Sequence, residues 1–279
     1  MPSSDLAPRD PAYARGILLV MAAGGFWSLG GILVRLIETA GPWQILLVRS
    51  ASLSIALFMV LLVRHRGALL GELRGIGLDG VVGALCLGVP FPGFIFSLIH
   101  TSVANAVFML SAWPFVAAPL AWMLLGEPVR RGTWIAMSFA LAGVAVMVAG
   151  GIGAGALFGN LAAFAAVLGF AGFAVTLRRK RRTDSLTLAC LAGIFTAIVA
   201  AALVDDFAYS PYDFTVCAVM GVIQIGAGMV LFTLGSRHVP AVELTLLSLT
   251  EVVLGPIWVW LWIAETPRSW TLIGGAVVI

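Results

Sequence analysis

Charge is what this sequence has least of. Asp, Glu, Lys and Arg together make up 10% of 279 residues, while hydrophobic residues reach 61%. A soluble domain carries about 25% charged residues. A chain so poor in charge cannot cover a surface facing water, so its solvent is lipid. Cysteine is scarce as well. Cys86, Cys190 and Cys217 stand singly inside apolar runs, without metal spacing or an evident bridge, and each reads as a small apolar filler. No grouping of His, Asp and Glu has the spacing of a metal site or a catalytic dyad, which argues against an intramembrane enzyme and against a metal or other cofactor. Strict apolar–polar alternation over ten-residue stretches is missing too, which excludes a membrane β-barrel. The polar, proline-rich stretch Met1–Arg15 lacks a basic segment followed by a cleavage site. It is expected to be a frayed cytoplasmic tail rather than a removable signal.

What the chain does have is long uncharged runs. A helix crosses the hydrocarbon with roughly 20 apolar residues. Residues 16–34 allow one span and Trp43–Val63 a second, with Arg49 inside it. Residues 80–126 divide at His100-Thr-Ser102, and residues 132–177 divide at Gly150–Ala156. Residues 185–204, residues 214–236 and Pro240–Ile263 give one span each, and a last begins near Trp270. The expectation is an all-α integral membrane protein with ten transmembrane helices. The final one is short, which suggests a natural chain continuing past Ile279.

The runs also repeat. An offset of 138 pairs Glu127 with Glu265, Trp122 with Trp260, Arg130 with Arg268 and His100 with His238. A duplicated membrane unit is the ground plan of many secondary transporters. The expected organisation is a tail over 1–15, a first five-helix repeat over 16–151 and a second over 156–279. With the N-terminus placed in the cytoplasm, Arg9, Arg15, Arg64, Arg66, Arg74, Arg130, Arg131, the run Arg178–Arg182 and Arg237 all fall inside. Glu38, His100, Asp205, Asp206, Asp213 and Glu265 fall outside, with Arg268 the one base clearly in an outside loop. That bias is the positive-inside pattern. Because five is odd, the second repeat enters from the opposite side, so the repeat is inverted. Both termini are then cytoplasmic once the last helix is completed, in a membrane of the bacterial inner type. The basic run at 178–182 reads as a cytoplasmic stop-transfer loop, not as a nucleic-acid site.

Several motifs resemble a known family. Asn105 followed by Pro114-Phe-Val-Ala-Ala-Pro119, Leu125-Gly-Glu-Pro128 and Gly143-Val144 resembles the EamA-type repeat of the drug/metabolite transporter superfamily. So does Leu249-Thr-Glu-Val-Val-Leu-Gly-Pro256 with Ala264-Glu265, and so do Phe26-Trp-Ser-Leu-Gly-Gly31 and Val48-Arg-Ser50. Within the superfamily the chain is most similar to the YddG-type exporters of aromatic and other amino acids. The resemblance implies a monomeric secondary transporter of small metabolites, most of all amino acids, working by alternating access. The departures are a Val252 where second repeats often carry proline, and Phe170 opposite Trp27.

Polar groups in a bilayer core are costly and therefore candidates for function. Glu251 lies in the ninth span with Leu247 and Glu243 on its face and Ser248 and Thr250 beside it. A carboxylate there attracts an ammonium group or carries a proton, or else bonds a neighbouring helix. The matching face of the fourth span is Asn105, Met109 and Trp113, and symmetry places the two faces on either side of a central site. A rival reading makes Glu251 the centre of a multidrug exporter of lipophilic cations. Arg49 can hold a substrate carboxylate, but it lies close enough to Trp43 to reach the outer interface, and a structural or gating role is favoured. Carriers of phosphorylated sugars want several buried cations, and the core offers Arg49 alone. Gln224 bonds either a ligand or a helix. Pro90 and Pro92 are expected to kink the third span, opposite Gly228 and beside Gly226 in the eighth, as hinge points. Trp27, Phe91, Phe94, Trp113 and Phe170 are the aromatic candidates for substrate contact. Trp43, Trp134, Trp258, Trp260, Trp262 and Trp270 are assigned to the interface belt or to packing.

Overall fold

In a computed structural model, residues 11–65, 75–126, 131–149, 154–179, 184–239 and 241–278 are described. Met1–Asp10, Glu127, Arg130, Pro240 and most of the run Arg178–Arg182 lie outside the described residues, as do the side chains of Glu243 and Ser248. The described chain is helical and holds no strand. Seven of its helices are long and apolar enough to cross a membrane, over residues 11–35, 42–65, 77–100, 103–125, 156–177, 185–203 and 211–235.

The first of these comprises α1 (Pro11–Ser28) and α2 (Gly30–Arg35). It starts five residues before Gly16, so residues 11–15 are helical rather than frayed: Pro11 fits a first helical turn, where no backbone donor is needed. Next come α3 (Pro42–His65), α4 (Gly77–Gly88), α5 (Pro90–His100), α6 (Val103–Leu110) and α7 (Trp113–Leu125). Ser102 caps α6 by accepting the Asn105 N–H, which ends the third span where His100-Thr-Ser102 predicts. Then follow α8 (Arg131–Ala149) and α9 (Ala154–Arg179), which begins two residues before the expected end of the glycine loop. The chain continues through α10 (Ser185–Leu203), α11 (Pro211–Val219), a π-helix (Met220–Ala227), α12 (Gly228–Gly235), α13 (Ala241–Ile263) and α14 (Ser269–Val278). Gly126 closes α7 in the left-handed region at φ 69°, where a side chain is disfavoured.

The packing pairs off across the chain. α1 lies against the π-helix, α12 and α13, whereas α9 lies against α4, α5, α6 and α7. α3 and α10 pack together, α3 also meets the π-helix, and α10 also meets α4. α8 packs on α14. Each half of the chain thus sends its first helix into the other half. Small residues permit this: a Cβ on Gly16 would collide with His238 and Val239, and one on Gly93 with the Ala162 carbonyl. Outer faces carry Ile55, Phe139, Leu161, Ile198 and Trp262, as lipid-facing surfaces should. An open apolar groove of about 350 Å³ between α3 and α10, lined by Ala51, Ile55, Ile194 and Ile198, belongs to this surface.

The polar contacts sort the loops into two groups. Arg35, Glu38, Gln44, Thr101, Asp206, Asp213 and Glu265 are joined on one face. Arg64 with Asp184, and Arg179 with Asp79, are joined on the other.

Candidate functional site

The third span is broken at Val89. Pro90 has no N–H, so the Cys86 carbonyl loses its helical donor, and it faces Gly169 of α9 so closely that a Cβ there would stand 2.7 Å away. Pro92 in the same way frees the Gly88 carbonyl, which accepts from the Thr196 hydroxyl of α10 at 3.4 Å. Val89 keeps helical dihedrals. The chain is therefore interrupted in its hydrogen bonding, not sharply bent. The offset of 138 places Val89 opposite Ala227, the last residue of the π-helix. Both spans are irregular at the same place, one through proline and the other through an i→i+5 register.

Trp27 is the aromatic candidate beside the π-helix. Gln224 is 3% exposed, and its Nε2 donates to the Trp27 carbonyl at 3.2 Å. The Trp27 indole lies against Gly228, where a Cβ would strike Nε1, and its ring is tilted against Phe232 with centroids 5.4 Å apart. Gly226 is buried beside Leu53. The break between α1 and α2 sits one residue beyond Ser28, whose hydroxyl donates to the Gly25 carbonyl and accepts from Trp258 Nε1 at 2.9 Å. Trp258 is thus docked on the first span and is not a belt residue; its N–H finds a partner inside the protein.

Arg49 does not reach the outer interface. It is 3% exposed, and its Cζ lies 5.6 Å from the centroid of the buried Phe91 ring. Its Nε and Nη1 have no hydrogen-bond partner. Gly221 of the π-helix packs directly on the Arg49 carbonyl and Ser52.

The two faces expected to oppose each other are each turned to the first helix of the opposite half. Asn105 Nδ2 donates to Asn160 Oδ1 on α9 at 2.6 Å and lies 3.7 Å from Met109 Sδ. Met109 packs with Ala112 and Ala163, and Trp113 lies 6.4 Å from Phe170. On the other side, Gly24 of α1 is packed against Thr250 and the Glu251 backbone. The Glu251 side chain is half-buried, and no described residue gives it a hydrogen bond or ion pair. The structure joins Trp113 with Phe170, Trp27 with Gln224 and Gly228, and Arg49 with Phe91. It does not join Asn105 or Met109 to Glu251.

Sequence reasoning missed the residues that tie the faces. Arg35 donates from Nε to Glu265 at 2.9 Å, from Nη1 to the Leu98 carbonyl at 2.7 Å and from Nη2 to the Thr101 carbonyl at 2.9 Å. The other Glu265 oxygen accepts the Val103 N–H. Asp213 accepts the N–H groups of Glu38, Thr39 and Ala40 and the Thr39 hydroxyl. Beside it Tyr209 donates to the Gln44 carbonyl, and burial raises its pKa. The repeat marked Glu265 but not its partner. Among the described residues no three His, Cys, Asp or Glu side chains group as a metal site.

Interrupted spans, a crossed-over helical core and buried polar groups at the breaks are the anatomy of a transporter. The EamA-like transporter family matches residues 14–149 and 157–279, nearly the whole chain in two copies. The chain belongs to this family. The EamA-like chain is 23% identical to the pseudopaline exporter CntI of Pseudomonas aeruginosa over 274 residues, covering 95% of this chain and 93% of that protein. It is 27% identical to protein RarD of Streptomyces exfoliatus over 139 residues, covering 48% and 44%. It is 26% identical to the uncharacterized transporter sll1164 of a Synechocystis strain, covering 67% and 59%. A crystal structure of a protein 20% identical superposes with a TM-score of 0.68 over 95% of this chain and 94% of the other, which establishes the shared fold. Seven membrane-length helices and this family make the protein a multi-pass membrane transporter.

Proposed function

We propose that this EamA-like protein exports small metabolites, most of all amino acids including aromatic ones, by alternating access. The observation that carries the reading is the matched pair of irregular spans, Val89–Pro92 and Met220–Ala227. Each is packed against the first helix of the opposite half, and aromatic side chains stand beside both. Paired interruptions of this kind expose backbone groups and mark substrate sites in transporters with inverted repeats. Trp27 with Phe232 on one side and Trp113 with Phe170 on the other offer apolar, stackable walls. Pro90, Pro92, Gly226 and Gly228 serve as the hinge points. A relative named as the exporter of one metabolite favours outward transport.

In this reading ten helices cross an inner membrane as two inverted five-helix repeats. The face bearing Arg64, Arg179 and Arg237 is cytoplasmic, and the protein acts as a monomer. The test is counterflow in proteoliposomes of the purified protein. Saturable exchange of L-phenylalanine or another amino acid is expected, and its absence across amino acids and common metabolites overturns the reading. One observation favours a second reading. Glu251 has no basic partner among the described residues, as a site for lipophilic cations would need. Exchange of tetraphenylphosphonium that Glu251→Gln abolishes, with no competition from amino acids, selects that alternative.

A further inference from the structure

Polar groups without partners collect where α3 crosses the π-helix. Gly221 marks the crossing, since a Cβ there would collide with Ser52 Oγ, the Arg49 carbonyl and the Leu53 N–H. On one side of it Arg49 is 3% exposed, with Nε and Nη1 bonded to nothing. On the other, Gln224 is equally buried, and its Oε1 accepts nothing while its Nε2 is taken by the Trp27 carbonyl. The two do not satisfy each other. Unpaired donors on α3 and an unpaired acceptor on the π-helix therefore belong to two elements in contact. At 1.5 Å per residue, Arg49 lies about 10 Å inside the start of α3 and Phe91 about 13 Å inside the end of α5, so they share one depth. The Phe91 ring flanks the guanidinium.

The energetics make a purely structural role expensive. A buried ion without a partner is costly, and a cation–π contact returns only part of that cost. Ion pairs among the described residues join Arg35 with Glu265, Arg64 and His65 with Asp184, and Arg179 with Asp79, and none involves Arg49. A site that needed only shape would hold methionine or leucine. No described residue supplies the missing counterion.

We infer that Arg49 docks the carboxylate of the transported solute and that Gln224 Oε1 accepts from its ammonium group, with Phe91 flanking the bound solute. The substrate class is then an α-amino acid or a similar amino carboxylate. Guanidinium presents a planar fork of donors suited to a carboxylate, which an ammonium side chain does not. The inference rests on the exporter reading above.

The test uses the full chain, in detergent and in proteoliposomes, with three probes: L-phenylalanine, 3-phenylpropionate (carboxylate only) and phenethylamine (ammonium only). L-phenylalanine counterflow should need at least ten-fold more substrate in Arg49→Met, with Arg49→Lys between the two. Free of ligand, Arg49→Met should melt higher than the parent, because a buried unpaired charge has been removed. 3-Phenylpropionate should raise the melting temperature of the parent by about 3 °C or more and leave Arg49→Met unmoved. An Arg49→Met protein that fails to fold or melts lower, or phenethylamine competing as well as L-phenylalanine, overturns the inference. If counterflow proceeds and ignores Arg49, the inference falls and the exporter reading stands. If no solute exchanges but 3-phenylpropionate still shifts melting through Arg49, the exporter reading falls and the anion site stands.

Discussion

Glycine in this chain is not one kind of residue. A Cβ at Gly221 would meet backbone atoms of α3, which cannot rotate away, whereas one at Gly25 would meet nothing within 4 Å. Gly221→Ala is therefore expected to cost roughly 1–3 kcal/mol through overpacking. Gly25→Ala should be neutral or slightly stabilising by helix propensity. Melting curves of the two variants in the same detergent check the contrast, and equal curves would refute the crossing geometry. At this scale the sequence was partly legible. Proline announces a missing donor wherever it stands, and a lone arginine in an apolar run announces a cost. What the arginine faces is not written locally, because Phe91 lies on another span and Gly221 on the other half. Asp213 reads as one more outer-loop acid, since all the partners of its carboxylate sit more than 170 positions away.

Helices break here by two devices. In the third span a proline removes a donor, and Thr196 takes up the freed carbonyl. Pro92→Ala would return the donor to Gly88, so the helix should stiffen. The expected outcome is a melting temperature unchanged or raised together with slower counterflow. Counterflow at the parent rate would mean that the interruption is ornamental. The eighth span reaches the same irregularity without proline, and there sequence reading stopped short. Glycines at 226 and 228 hinted at a weak point. Yet eight residues of almost unbroken apolar character fit a period of 3.6 as well as one of 4.4. The span ends, by contrast, were readable to within a few residues, because Ser102, Ser210 and Gly126 carry capping chemistry in their side chains or their lack of one.

Seen whole, the molecule is two halves threaded through each other. α1 finds its neighbours in the second half and α9 finds its neighbours in the first. Neither half should hold together alone. Expressed as fragments 1–152 and 153–279, each is expected to be degraded or aggregated, while co-expression restores a complex that co-purifies and transports. A stable, monodisperse first half on its own would contradict the crossed packing. The repeat revealed the duplication, since it is written in the order of residues along the chain. Which helix of one copy meets which helix of the other depends on shape complementarity between small residues, and a single sequence does not spell that out.

The Asp213 contact has a consequence in time. The amides of Glu38, Thr39 and Ala40 close on a carboxylate 173–175 residues further along. At ribosomal rates of about 5–20 residues per second, that loop leaves the ribosome roughly 10–35 seconds before the residue that fastens it. The first hairpin must therefore wait in the membrane unfinished, sheltered by the insertion machinery or by lipid, until the chain's second half arrives to complete it.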